Sequence, residues 1–376
     1  MNTNNLSRRR FAQLLGAGAA AALTRPSLTL AREAPKGEAV SRLVRLSSNE
    51  NPYGPSAKAL KAVTDAFDLA CRYPDDNADV LIDALARHNR VEANQILLGA
   101  GSGEILKICA TAFTGPSTDG RAGTAVVADP TFEPIANIAR ERGAELVKVP
   151  LTSNYAHDLE KMLDALKGGL VYICNPNNPT ASITPKAQLG EFIMKAPQDT
   201  MVLVDEAYHH YVESADYESV IPLIADHPNL LVARTFSKIY GMAGLRCGYC
   251  IGQADVIARL RPLQLNDGVN ITALVAATTS LADAEQVANG KRMNKQARGF
   301  TVSELERMGY QSIPSEANFI MFDLKQPVVP FIEEMKQRDV HVGRLFPTLP
   351  NHMRVTIGKK REMERFVSAF REVAQA

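Results

Sequence analysis

The sequence predicts an α/β protein: a large domain built on a mostly parallel sheet flanked by helices, plus a smaller α+β domain. Three observations carry that expectation. Short apolar runs alternate with helical periods through the middle of the chain, the pattern of strands joined by crossover helices. The residues with unusual chemistry fall just after those runs. The chain has 376 residues, 45% of them hydrophobic, enough for one large core and a second smaller one.

Taken in order, residues 44–55 form a turn-rich arm, Val-Arg-Leu-Ser-Ser-Asn-Glu-Asn-Pro-Tyr-Gly-Pro. Ser56 is placed to cap a helix to about residue 70, Cys71-Arg-Tyr-Pro74 breaks it, and a second helix covers about 78–87. A strand at 96–98 leads into Gly99-Ala-Gly-Ser-Gly103 and a helix to 113. A strand at 125–128 leads through Asp129-Pro-Thr-Phe132 into a helix to 142. Further strands are expected at 145–149, 170–174, 201–204, 230–233 and 246–251. From about 270 one long helical segment runs towards 308. Strands at 318–322, 340–344 and 353–357 follow, with helices at 329–337 and 361–373. These readings divide the chain into a leader (1–31), an arm with a small-domain segment (32–76), the large domain (77–265) and the C-terminal small domain (266–376).

Net charge is +1 with no basic block in the body of the chain, which argues against nucleic acid as a partner. No apolar run is long enough to span a membrane. Ser7-Arg-Arg-Arg-Phe11, ahead of the weakly apolar run 12–23 and the small-residue stretch 27–31, resembles a twin-arginine export signal. That makes the mature chain periplasmic or exported; a basic arm on a cytoplasmic protein is the alternative. Five scattered cysteines form no disulfide framework. Cys247 and Cys250 fall in an expected strand, where residues three apart face opposite ways roughly 10 Å from each other. No metal site is expected: the histidines show no ligand spacing, and His209 and His210, being adjacent, are expected to face different ways.

The chemistry gathers beyond the carboxyl ends of the strands, where open α/β sheets bind ligands. Lys238, in Thr235-Phe-Ser-Lys-Ile-Tyr-Gly, follows an apolar run, where desolvation lowers an amine's pKa and frees its lone pair for attack on a carbonyl. Thr235, Ser237 and Arg246 are phosphate donors. A lysine nucleophile beside a phosphate cradle points to pyridoxal 5′-phosphate (PLP). Each other part of such a site has a candidate. Asp205, behind Met-Val-Leu-Val, is a buried carboxylate for the ring nitrogen. Asn178 and Tyr208 are donors for the phenolic oxygen, and Phe132 is a flat partner for the ring face. Ala100, Gly101 and Ser102 offer amides ahead of a helix.

Asn175-Pro-Asn-Asn-Pro-Thr180, Asp205-Glu-Ala-Tyr208 and Thr235-x-Ser-Lys238 with Arg246 together resemble the fold-type I PLP aminotransferases of classes I and II. Within them, Asn49-Glu-Asn-Pro-Tyr-Gly-Pro55 and Met353-Arg-Val-Thr-Ile-Gly358 are most similar to histidinol-phosphate aminotransferases. The resemblance covers essentially everything after the leader. It implies a transaminase in which Lys238 carries the cofactor as a Schiff base and then moves the proton, with Asp205 on the pyridinium. It implies Ser237 and Arg246, with Thr235, on the phosphate, and Tyr73 reaching that phosphate from the other subunit of a homodimer. It also implies Arg354 on the substrate anion, with Tyr53, Asn318 and Arg344 nearby. The partners implied are a small-molecule amino donor and a 2-oxo acid acceptor. Alternatives at the same carbon are decarboxylation, elimination or racemisation; a further alternative is a PLP-binding regulator, a class that carries an N-terminal DNA-binding domain where an export signal and a short arm are expected here. Two positions depart from the pattern. Ala181 replaces a glycine, a strain of roughly 1 kcal/mol if the turn needs positive φ. The sequence after Arg344 is also atypical for a site binding a distal phosphate.

Overall fold

The computed structural model describes residues 43–115 and 123–375, so the expected export signal lies outside the described residues. The strands are β1 (Val44–Arg45), β2 (Ile96–Gly99), β3 (Thr124–Asp129), β4 (Glu145–Pro150), β5 (Gly169–Cys174), β6 (Thr200–Asp205), β7 (Leu230–Thr235), β8 (Gly248–Ile251), β9 (Phe319–Asp323), β10 (Val340–His341) and β11 (His352–Thr356). Among the described residues, seven of them form one sheet in the order β2-β8-β7-β6-β5-β3-β4. Neighbours run parallel except that β8 is antiparallel to both β7 and β2.

The central strands read as near-continuous apolar runs because both faces of the sheet are covered. Val171, Ile173, Val202 and Val204 enter one core, while Leu170, Tyr172, Met201 and Leu203 enter the other. Cys247 and Cys250 fall in opposite cores, and all five cysteines are free. The first core is closed by helices Asp75–Asn89 and Ile271–Leu281, the second by helix Ser102–Phe113.

A smaller core gathers Ile320, Phe322, Met353, Val355, Phe366 and Phe370 around the antiparallel pair β9–β11. The arm joins it: β1 pairs parallel with β10, and Val44 and Leu46 are buried there. The expected long helix after 270 is two helices. Ala282 and Asp283 separate Ile271–Leu281 from Ala284–Arg307, and the Asp283 carboxylate turns to Lys58 at 3.0 Å. The first of the two packs into the larger core through Ala273, Leu274, Ala276 and Ala277, although it lies within the 266–376 segment expected as the small domain. Its small residues allow that close approach. His209 and His210 also differ from expectation. They lie in a single 3₁₀ turn, and their rings stack with centroids 3.7 Å apart instead of diverging. Among the described residues no group of three or more His, Cys, Asp or Glu side chains is placed to hold a metal.

A buried ion pair fixes the ends of β6 and β7. Glu206, which follows β6, receives Arg234 of β7 through Nε (3.0 Å) and Nη2 (2.7 Å), and its other oxygen accepts the Val220 amide at 2.9 Å. Arg234 also donates to Asn89 (2.9 Å) and Ser219 (2.8 Å). Breaking such a pair from one side leaves a charge in the core and costs about 3–5 kcal/mol. Arg234→Ala should therefore lower the unfolding free energy by about that much in urea titration. Arg234→Met combined with Glu206→Leu should recover most of it.

Candidate active site

Because β8 runs against its neighbours, its amino end lies at the rim where β2, β3, β5, β6 and β7 finish. Arg246, just ahead of β8, is thereby brought beside the Thr235–Lys238 stretch that follows β7. The rim opens into a cavity of about 840 Å³. Lys238, Asp205, Tyr208, Asn178, Phe132, Thr235, Ser237, Ser102, Arg246, Arg354 and Arg344, expected from the sequence, all line it.

Lys238 Nζ donates to the carbonyl of Asn49 at 3.0 Å and stands 5.4 Å from the centre of the Tyr208 ring. Burial, then the nearby Arg354 guanidinium, pull its amine down to about 8. Asp205 is the opposite case. Burial raises its carboxyl to about 6, and hydrogen bonds from the Tyr172 hydroxyl to Oδ2 (2.9 Å) and from the Ala207 amide to Oδ1 (3.1 Å) work against that rise.

At the phosphate end, the Ala100 amide is taken by Glu104 (2.5 Å) and the Gly101 amide by the Gly99 carbonyl (2.7 Å). Neither is free for a ligand, so of the three expected amides only Ser102 remains, joined by Gly103, which also lines the cavity. These open helix Ser102–Phe113, where amides have no partner within the helix. The Thr235 hydroxyl donates to Ser237 Oγ at 3.0 Å. Arg246, itself at φ 65°, reaches the Ala100 carbonyl at 3.4 Å across Gly101. Gly101 takes φ 79°, where a side chain is strained, and a Cβ there would lie 2.2 Å from Arg246 Nη2 and displace the guanidinium.

Asn178 joins the two remaining parts. Its amide donates to Tyr208 Oη at 3.4 Å, and its oxygen accepts Arg354 Nη1 at 2.7 Å. Asn49, buried at φ 53°, donates to Tyr208 Oη at 3.1 Å. Arg354 also donates to the Ser47 carbonyl at 2.6 Å, but its buried Nε has no partner. Burial draws its guanidinium down to about 10. Phe346 stacks between two cations, with Arg344 4.5 Å and Arg354 5.2 Å from its ring centre. Arg344 is exposed at the mouth and paired with Glu133 at 2.5 Å. Ala181 takes φ 61°, the strained geometry expected of the missing glycine.

Besides Ala100 and Gly101, three more expected residues lie outside the cavity lining. The Asn318 amide is occupied in holding the arm, donating to the carbonyls of Asn49 (3.1 Å) and Glu50 (3.2 Å). Tyr53 lies with Asn318 in a separate small cleft, 6.0 Å from Lys359 Nζ to its ring centre. Tyr73 is 79% exposed, away from this chain's own site. Sequence reasoning passed over Tyr172, Asn49, Glu133 and Phe346. The first carried a signal, since a tyrosine inside an apolar strand must find its hydroxyl a partner.

The residues present fit PLP. A lysine with a depressed pKa, a buried carboxylate held by two donors and a glycine turn keeping space for a guanidinium at a helix N-terminus match its carbonyl, ring nitrogen and phosphate in turn. Comparisons with known proteins agree. The family described as aminotransferase class I and II matches residues 41–370. A histidinol-phosphate aminotransferase of Moorella thermoacetica is 37% identical over 339 residues, 89% of this chain and 86% of that one. Histidinol-phosphate aminotransferase 2 of Pseudomonas fluorescens is 39% identical over 338 residues, 88% and 89% of the two chains. The crystal structure of histidinol-phosphate aminotransferase from Sinorhizobium meliloti in complex with pyridoxal-5′-phosphate superposes with a TM-score of 0.82 at 26% identity, covering 89% of this chain and 91% of that one.

In cofactor-free protein the Lys238 amine is cationic at low pH and neutral above about 8. Competitive acylation followed by mass spectrometry should give half-maximal reactivity at Lys238 near that pH, while surface lysines keep gaining reactivity above about 10. Superimposable profiles would refute the desolvation of this amine.

Proposed function

The chain belongs to the class I and II aminotransferases, and from that premise we propose that it exchanges an amino group between histidinol phosphate and a 2-oxo acid. It is a PLP-dependent transaminase; the substrate is the proposed part. The observation that carries the choice is the pair of arginines on one wall, with Phe346 between them. Arg354 is a buried cation on the cavity wall, placed for one anionic group. Arg344, at the mouth, exchanges Glu133 for a second, more distant one such as a phosphate ester. The names carried by the relatives support the same substrate.

Bound in this cavity, PLP supplies the electron sink that makes the substrate's α-hydrogen acidic. The chain's own residues do the rest. Lys238, its amine held down to about 8 by burial, takes the proton from the α-carbon and returns it. Asp205 stands as the anion for a protonated ring nitrogen, and Asn178 and Tyr208 hold the ring oxygen. Ser102, Ser237 and Arg246 grip the phosphate, while Phe132 walls one side.

Absorbance titration of the holoenzyme tests the substrate directly. Histidinol phosphate at low concentration should convert the cofactor to its amine form. Conversion by ordinary amino acids alone would overturn the substrate, and conversion by nothing would overturn the half-reaction. Lys238→Ala should lose turnover together with the borohydride-reducible lysine adduct.

The finer reading is an exported homodimer. Support for the dimer is a run of exposed apolar side chains, Leu60, Phe67, Leu69, Tyr73 and Val80, on the segment that carries Tyr73; a second copy would cover them and receive Tyr73 at its phosphate. Support for export is the Ser7-Arg-Arg-Arg-Phe11 sequence. Fractionation followed by sedimentation tests both. The chain should be recovered from the periplasm at twice its monomer mass, and Arg8→Lys with Arg9→Lys should hold it in the cytoplasm.

A further inference from the structure

We propose that Tyr172 is a positioning residue for the cofactor: its hydroxyl holds Asp205 as an anion directed at the ring nitrogen. The proposal rests on the cofactor assignment above and not on the choice of substrate. Tyr172 does not line the cavity; it is fully buried on β5, among Leu170, Cys174, Leu203 and Ala233. In the β5–β6 register Tyr172 pairs with Leu203 and Cys174 with Asp205, so the phenol extends along the sheet to the end of the next strand. There it donates to Asp205 Oδ2 at 2.9 Å.

That hydroxyl has no packing reason to exist. A phenylalanine fills the same volume in an apolar wall without a polar atom to satisfy. The direction of the bond is also fixed. Burial and the Asp205 charge both push the phenol's pKa well above its ordinary value, so the tyrosine is the donor and the carboxylate the acceptor. With the Ala207 amide on Oδ1, each carboxylate oxygen carries one donor from the protein wall. The anion is thereby kept in a place where burial favours the neutral acid.

The test compares two ligands in Tyr172→Phe protein that retains Lys238: PLP itself, and a carbocyclic analogue in which C–H replaces the ring nitrogen. Equilibrium dialysis should show PLP weakened about tenfold, the size of a lost hydrogen bond to a charged group. The analogue, which has no pyridinium to pair with Asp205, should be unaffected. The acid limb of PLP binding should move to higher pH in the variant, because a carboxylate with one donor fewer protonates more readily. In an Asp205→Asn background Tyr172→Phe should change PLP affinity no further. Equal weakening of both ligands would make Tyr172 merely structural, and no change in either would remove it altogether; each overturns the proposal. If Tyr172→Phe does not fold, 3-fluorotyrosine at position 172, a stronger donor of nearly the same shape, must tighten PLP selectively, and an unselective change overturns the proposal. Failure of the wild type to attach PLP at Lys238 would instead overturn the cofactor assignment.

Discussion

One carboxylate sets the terms for the site. Asp205 ends an apolar strand in the middle of the sheet, where an unpaired charge is costly and the neutral acid is favoured. Its surroundings answer that cost. The next residue, Glu206, is locked to Arg234, which fixes the ends of β6 and β7 together, and protein donors occupy both Asp205 oxygens. Lys238 shares the cavity with a lowered pKa, so a base and an anion lie close without either being neutralised in a direct ion pair.

Of the eight residues other than glycine at positive φ among the described residues, three belong to the stretches that build the site. Asn49, Ala181 and Arg246 all take positive φ, a conformation that costs a side-chain-bearing residue roughly 1 kcal/mol or more. Each is held by its neighbours. Asn49 is tied to Tyr208, Thr356 and Asn318, and Ala181 to Asn177 and Glu316. Arg246 reaches across Gly101, which has no side chain to block it. The arm is therefore part of the site. Its Asn49 carbonyl accepts Lys238, its Ser47 carbonyl accepts Arg354, and its β1 strand anchors it in the smaller core.

The motifs legible in the sequence were those in which one short stretch states its own chemistry. Lys238 after a buried run, Asp205 behind four apolar residues and the Asn175–Thr180 turn needed no knowledge of distant contacts. The sheet was legible for the same reason, since strands covered on both faces read as continuous apolar runs. Where local sequence was silent, the deciding contact lay far along the chain. The amide of Asn318 is claimed by an arm more than two hundred residues away, and helix Ile271–Leu281 joins the larger core through contacts with the N-terminal helices.

The sequence by itself determined the sheet, the rim at which the chemistry gathers, and a lysine–carboxylate–phosphate site suited to PLP. These follow from local pattern, because apolar periodicity and strand-end residues depend on neighbours in the chain. Only the tertiary structure decided which donors are free. Glu104 claims the Ala100 amide and Glu133 occupies Arg344, whereas Arg354 keeps a buried Nε without a partner. Tyr172 likewise found its acceptor on the neighbouring strand. Hydrogen bonds and charges are satisfied in space, by groups whose approach no local stretch of sequence records.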